Sequence, residues 1–268
     1  MRKPMQITST SNERIKHARR VRDGREPGLI YIDGLRLAEE ALRSGLTIDT
    51  CFSVFREEPR KDELLRRLSD INVPILFTTS EVLSALCDTV QSQGIVLLAR
   101  RPSLSAAALQ DWKSTLFLGL DRVQDPGNMG TLIRSAEGAG IGGILALGGS
   151  VDVFSPKVLR SSMGSAFRLP ILTGATAEQM LSLRDSHGLK IAAAAGEGEI
   201  DYTDYDWRQP TLLLLGNEGN GVDAALMQQC DARLRIPLLN GVESLNVSAA
   251  GAVMLFEAAR QRRSASVA

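Results

Sequence analysis

Three cysteines and two histidines are all that this chain of 268 residues offers in soft or imidazole ligands. Cys51, Cys87 and Cys230 lie far apart, are odd in number and form no CxxC pair. That usage suggests neither a disulfide framework nor a zinc site, and it suits a reducing cytoplasm. His17 and His187 join no ligand cluster, so no metal is expected, and a Ser/His/acid triad finds no support. Both histidines are expected at the surface: His17 in a basic helix, His187 before Gly188 at a helix end. Net charge is also lacking, with 31 basic against 31 acidic residues. This argues against a generally basic nucleic-acid coat and leaves only local patches. No apolar run approaches the roughly 18 residues of a membrane span. The opening MRKPMQITSTSNERIK lacks the apolar core of a signal peptide.

Hydrophobic residues make up 44% and charged residues 23%. A chain of this length and composition can bury a core without cross-links. Between Arg2 and Arg25 stand Arg2, Lys3, Arg14, Lys16, Arg19, Arg20, Arg22 and Arg25 against Glu13 and Asp23. Such a cluster can hold phosphates, and it reads equally as a solvated helix surface.

The pattern divides near residues 100 to 112, where Arg100-Arg101-Pro102-Ser103 interrupts it. We expect a domain over 1–100, a linker over 101–112 and a second domain over 113–268. The first reads as a small α/β unit. Its helices are expected over 12–21, 35–43 and 61–68, with a further one from Thr79 or Ser80 to Leu86. Its strands are expected over 29–32, 48–55, 73–77 and 95–99. In the second, strands over 115–120, 143–147, 190–194, 211–215 and 233–236 alternate with helices near 129–139, 156–166, 177–186, 222–229 and 246–262. That alternation predicts a mostly parallel sheet covered by helices.

Three segments carry chemistry. In LDRVQDPGNMGTLIRSAEGAG, from Leu120 to Gly140, a strand ends, a Pro-Gly loop follows and Asn128 stands where a helix N-cap is expected. Arg134 lies on the second turn, beside the apolar stripe of Leu132, Ile133 and Ala136. In LLLLGNEGNGV, from Leu212 to Val222, a buried strand runs into Gly216, Gly219 and Gly221, with Glu218 at its end. Glycines there permit tight turns and close approach of a ligand to backbone. In IPLLNGVESLNVSAAGAVMLFEAAR, from Ile236 to Arg260, Asn240-Gly241 marks a turn. Ser244, Asn246 and Ser248 precede a helix whose Ala249, Ala250, Gly251 and Ala252 allow very close packing. Each segment alone is also explained by a capped helix or a glycine turn. The run Gly138-Ala139-Gly140-Ile141-Gly142-Gly143 has the letters of a dinucleotide fingerprint, but it closes a helix and opens a strand. A nicotinamide-dependent enzyme is rejected on that ground.

Taken together and in order, NMGTLIR, GNEGNG and ESLNVSAA resemble the SpoU family of RNA ribose 2′-O-methyltransferases, of the SPOUT class, over residues 113–262. SNERIKHARRVR, Ile32-Asp33-Gly34 with LRLAEEAL, and Gln93-Gly94-Ile95 resemble more loosely that family's RNA substrate-binding domain. The resemblance implies a mostly parallel sheet with a C-terminal trefoil knot, a homodimer paired through the knot, and S-adenosylmethionine held in a bent shape. It implies cofactor contacts from Gly216, Asn217, Glu218, Gly219, Ile236, Leu238, Leu245, Asn246, Val247, Ser248 and Ala250. For catalysis it implies Arg134 with Asn128 beside it, supported by Glu218, Ser244 and Asn246. A guanidinium normally stays protonated, so Arg134 is left open as base or as a clamp on the phosphate next to the ribose. Arg14, Lys16, Arg19 and Arg20, and Lys157 and Arg160 in SPKVLRSSMGSAFRLP, are the residues expected to meet RNA. The resemblance implies large-subunit ribosomal RNA as substrate, transfer RNA being the alternative. A catalytically silent RNA-binding module of the same fold is the competing class.

Overall fold

The computed structural model describes residues 6–87 and 93–265, so Arg2 and Lys3 of the basic segment lie outside the described residues. The chain forms two units. One runs to Pro102 and includes Phe154–Arg160; the other consists of Ser103–Val153 and the chain from Ser161 onward.

In the first unit, the order is β1 (Gln6–Ile7), α1 (Glu13–Arg22), β2 (Leu29–Asp33), α2 (Leu35–Arg43), β3 (Ile48–Val54), α3 (Pro59–Asp70), β4 (Ile75–Thr78), α4 (Ser80–Ser84) and β5 (Ile95–Arg100). The strands form one sheet in the order β1-β4-β3-β5-β2. β3 runs parallel to β4, while β5 is antiparallel to both β3 and β2. α1 buries Ile15, Ala18 and Val21 against Tyr31, Phe52, Val96 and Leu98, which fixes its basic face outward. On that face Lys16 pairs with Glu13 at 2.8 Å and Arg20 with Glu26 at 2.8 Å. Local acids therefore already engage two of the four cations expected to meet RNA. The side chains of Arg14 and Arg19 have no hydrogen-bond or ion-pair partner among the described residues.

The second unit carries β6 (Leu116–Leu120), α5 (Pro126–Ala139), β7 (Gly143–Leu147), α6 (Pro156–Ser162, its first part grouped with the other unit), α7 (Ser165–Arg168), β8 (Ile171–Ala175), α8 (Ala177–His187), β9 (Lys190–Ala194), β10 (Ile200–Asp201), β11 (Thr211–Leu215), α9 (Ala224–Met227), β12 (Ala232–Arg235) and α10 (Val247–Ala265). Its sheet has the order β10-β12-β9-β11-β6-β7-β8, and every pairing in it is parallel. The central strands β6 and β11 are buried throughout, as strands covered on both faces must be. α10 packs on α5, and Gly251 is a point of very close approach. A Cβ there would strike the side chains of Leu132 and Leu215.

Four expectations need correction. Asn128 is not the N-cap of α5. Asp125 is, its Oδ1 accepting from the Asn128 N–H at 2.8 Å, with Pro126 opening the helix. Asn128 therefore sits inside the first turn, and its side chain is available for other work. The expected helix over 156–166 is two helices, because Met163 and Gly164 take positive φ values of 53° and 88°. β8 is absent from the expected strands, as are the two-residue β1 and β10; in Ile-Leu-Thr-Gly-Ala the apolar run is cut short by Thr173 and by Gly174, whose φ is 64°. His187 is half-buried rather than fully solvent-facing. Its Nε2 donates to the Trp112 carbonyl at 2.7 Å, and its ring stands edge-on to Phe117.

Candidate active site

All strands of the second sheet point their carboxyl ends the same way, and β11 lies between β6 and β9. The loops that follow these strands are therefore neighbours, at the edge where open α/β sheets gather ligands. Those after β9 and β11 border a cleft of about 640 Å³. Ala194, Ala195 and Gly196 line it after β9, and Gly216, Asn217, Glu218, Gly219 and Gly221 after β11. Ile236, Pro237 and Leu238 follow β12, and Val242, Glu243, Ser244, Leu245, Val247, Ala250 and Met254 complete the wall.

The loop after β11 is held by its own first polar residue. The backbones of Asn217 and Gly221 exchange two hydrogen bonds of 2.9 Å. Asn217 Oδ1 accepts from the N–H groups of Gly219 and Asn220 at 3.0 and 3.2 Å, while its Nδ2 donates to the Arg122 carbonyl at 2.9 Å. One side chain thus shapes its loop and ties it to the loop after β6. Gly216 permits the turn, since a Cβ on it would strike the backbone of Gly221 and Val222.

Glu218 reaches across to the same neighbouring loop. Its carboxylate accepts from the backbone N–H groups of Gln124 at 3.3 Å and Asp125 at 3.2 Å, and from Asn128 Nδ2 at 3.1 Å. Asn128 Oδ1 in turn accepts from Asn246 Nδ2 at 2.9 Å, with the Ser248 hydroxyl oxygen 3.4 Å away. Asn246 Oδ1 accepts from Ser248 Oγ at 2.6 Å and from the N–H groups of Ser248 and Ala249 at 2.9 and 3.3 Å, which caps α10. The carboxylate can only accept, so the amide of Asn128 must turn its NH₂ toward Glu218 and its carbonyl toward Asn246. The result is one polar chain, Glu218–Asn128–Asn246–Ser248, joining three segments more than a hundred residues apart at the extremes.

Burial pushes the Glu218 carboxyl up, but donation from Asn128 and from backbone N–H groups outweighs it and leaves the group below the ordinary carboxylate range. A depressed native pKa contributes stability above the unfolded-state value, and that contribution is lost as pH falls through the native value. Glu218→Gln should therefore lower the urea midpoint near neutral pH and converge with the parent in acid. A gap of constant size at every pH would show that the charge is not the cause.

Of the residues the sequence singled out, Gly216, Asn217, Glu218, Gly219, Ile236, Leu238, Ser244, Leu245, Val247 and Ala250 line the cleft. Asn128, Asn246 and Ser248 form the polar chain instead. Arg134 lies elsewhere: it is exposed on α5 and does not line the cleft. Lys157 and Arg160 stand on α6, in the segment grouped with the first unit. Sequence reasoning missed Asp121 and Arg122. Asp121 is buried at the end of β6, accepts from the Asp223 N–H at 2.8 Å and pairs with Arg122 at 3.1 Å, tying the loops after β6 and β11 together once more. It also missed Ala194–Gly196, for which small residues directly after an apolar strand were the available signal. Among the described residues no group of three His, Cys, Asp or Glu side chains could hold a metal ion, and no helix is long and apolar enough to cross a membrane.

Comparison with known proteins accords with this geometry. The model of the SpoU rRNA methylase family matches residues 115–256, and that of the RNA 2′-O ribose methyltransferase substrate-binding domain matches residues 31–105. The 23S rRNA (guanosine(2553)-2′-O)-methyltransferase RlmP of Bacillus subtilis is 32% identical over 256 residues, covering 94% of this chain and 98% of the relative. The crystal structure of an AdoMet-bound rRNA methyltransferase from Sinorhizobium meliloti superimposes with a TM-score of 0.85 at 30% identity, covering 96% of this chain and 97% of that one. That of the SpoU methyltransferase AviRb from Streptomyces viridochromogenes, in complex with AdoMet, gives 0.86 at 27% identity, covering 94% and 99%. With its parallel sheet, its substrate-binding unit and both family models matched in order, the chain belongs to the SpoU rRNA methylase family.

Proposed function

We propose that this enzyme transfers a methyl group from S-adenosylmethionine to a ribose 2′-hydroxyl of structured RNA, and that its substrate is large-subunit ribosomal RNA. The observation that carries the reading is the cleft walled by the loops after β9, β11 and β12, with the Glu218–Asn128–Asn246–Ser248 chain tying the loop after β11 to the segment that opens α10. The lining suits the donor. Ile236, Leu238, Val247, Ala250 and Met254 give apolar walls for an adenine, and the backbone of the 216–221 loop gives polar contacts. When bound, S-adenosylmethionine supplies an electrophilic methyl group on a sulfonium. The protein's share is to hold loops and substrate so that the sugar oxygen meets that carbon in line.

In this reading Gly216, Asn217, Glu218, Gly219, Ile236, Leu238, Leu245, Val247 and Ala250 touch the cofactor, while Asn246 and Ser248 act through Asn128. Ser244, exposed on the cleft wall, faces the incoming RNA. Arg134 acts from the RNA side. It shares the exposed stripe of α5 with Gly138, where a Cβ would sit 3.4 Å from the ring of Phe256. Phe256 and Val253 are themselves 47% and 38% exposed. A second copy covering this apolar face makes the homodimer and places Arg134 where subunits meet. The chain around the cleft is threaded as the knot that the resemblance implies, and the enzyme works in the cytoplasm. Substrate choice rests on the similarity to RlmP, which extends through both units.

Calorimetric titration with S-adenosylmethionine tests the cofactor reading; absence of heat would favour a silent RNA-binding module. Mapping of ribose methylation across total RNA, with and without the gene, tests the substrate. We expect one mark missing from large-subunit ribosomal RNA, and a mark missing only from transfer RNA would overturn that choice.

A further inference from the structure

The first unit holds a second concavity of about 470 Å³, which the methyl-transfer reading leaves unused. Lys61, the third residue of α3, is among its lining residues and is 1% exposed. Lysine is almost never buried to this degree unless its charge is met. Yet Lys61 Nζ, which carries three donors, makes one hydrogen bond among the described residues, to the Val54 carbonyl at 3.3 Å. Glu58 and Asp62 act on it through electrostatic attraction without a hydrogen bond to it among the described residues. Burial pushes the lysine below its usual range, as expected of an ammonium that has given up water without gaining a counter-ion.

The rest of the lining is rich in donors. Arg36, Arg56 and Arg60 stand around it against the single acid Glu58. Arg60 is engaged by Glu39 in a two-fold contact of 2.7 and 2.6 Å, whereas the side chains of Arg36 and Arg56 have no hydrogen-bond or ion-pair partner among the described residues. Ser80 and Ser84 add hydroxyls one turn apart on α4. Gln93 Oε1 accepts from the Leu35 N–H at 2.7 Å, which leaves the NH₂ of the same amide for another acceptor. Lysine, two guanidiniums, hydroxyls and an amide NH₂ from several elements line the concavity with donors, which suits an oxyanion such as a phosphate.

We infer that this concavity is a phosphate subsite that receives the backbone of the RNA substrate, with Lys61 as its buried cation and Arg36 and Arg56 at its rim. The inference rests on the reading of the chain as an RNA-modifying enzyme. It assigns to the substrate-binding unit one site at which the RNA is gripped, distant in sequence from the basic face of α1.

The test is binding of full-length protein to deproteinised large-subunit ribosomal RNA across a salt series, for the parent, Lys61→Met and Arg56→Gln. Lys61→Met keeps the length of the side chain and removes the charge; Arg56 is exposed, so its variant folds whatever the fate of the first. Each should weaken RNA binding about tenfold and reduce the salt slope by roughly 0.7–0.9, as expected when one phosphate is no longer neutralised. Inorganic phosphate should compete with the parent and not with the variants. Parental affinity and slope in Arg56→Gln and in folded Lys61→Met would overturn the inference. So would phosphate binding that needs Lys61 while RNA binding does not, since the pocket would then serve a free anion. Donor titration at the cleft of the second unit is a separate readout. A parent that binds RNA through Lys61 but gives no heat with S-adenosylmethionine would sink the methyl-transfer reading and leave the subsite standing.

Discussion

Arg134→Ala should abolish methyl transfer, a drop of about a thousandfold or more, while S-adenosylmethionine binding stays within a few-fold of the parent. The split follows from position. Arg134 is exposed on α5 and does not line the cleft, so the donor's contacts survive its removal. Its five fixed N–H donors suit a phosphate oxygen pair beside the target ribose, which would orient the sugar and make its hydroxyl more acidic. Arg134→Lys separates charge from shape. A lysine restores a point charge but no fork, so turnover should recover only partly if bidentate grip is what matters. Single-turnover kinetics with saturating donor measure both variants. Near-parental turnover in Arg134→Ala would remove this residue from the mechanism, and an equal fall in donor affinity would place it in the cleft instead.

The second large effect is expected at Gly216. A methyl group there meets the backbone of Gly221 and Val222, neither of which can swing aside as a flexible side chain would. The loop must open, breaking the paired Asn217–Gly221 bonds and drawing Glu218 away from Asn128. Gly216→Ala should therefore cost about 3 kcal/mol of stability, lower Tm by roughly 5–10 °C, and weaken donor binding about a hundredfold. Gly219→Ala is the control. Its nearest neighbour would be Asn217 Oδ1 at 3.6 Å, an ordinary contact, so stability should stay near parental and any loss of donor binding would come from the cleft wall itself. Calorimetry and thermal melts on the pair decide the matter; parental donor affinity in Gly216→Ala would mean that this loop does not bound the donor site.

The elements most legible in the sequence are those with an uninterrupted apolar run or stripe. Gly143–Leu147, Lys190–Ala194, Thr211–Leu215 and Leu35–Arg43 stand at the expected bounds, because a strand or helix stripe that must be buried announces itself in hydrophobic spacing. Interrupted elements escape that signal. In β8 the apolar run stops after Ile171 and Leu172, and Thr173 and Gly174 break it. The break at Met163–Gly164 leaves no mark in spacing because helix periodicity continues on both sides of it. The expected start of α5 falls three residues late because Asp125 and Asn128 are both good caps; the backbone's route out of β6 decides between them.

For the site, residue types and order along the chain determined a great deal. Glycines after a buried strand, an acid in that turn, and Ser244, Asn246 and Ser248 ahead of a small-residue helix mark the segments that a ligand could reach. What only the tertiary structure decided is who touches whom. Asn128 bridges Glu218 and Asn246, Asp121 locks two loops, Ala194–Gly196 joins the wall, and Arg134 stands apart. The physical reason is that strand order, not chain order, sets adjacency: β11 lies between β6 and β9, and hydrogen bonds spanning about a hundred residues form only once that sheet exists.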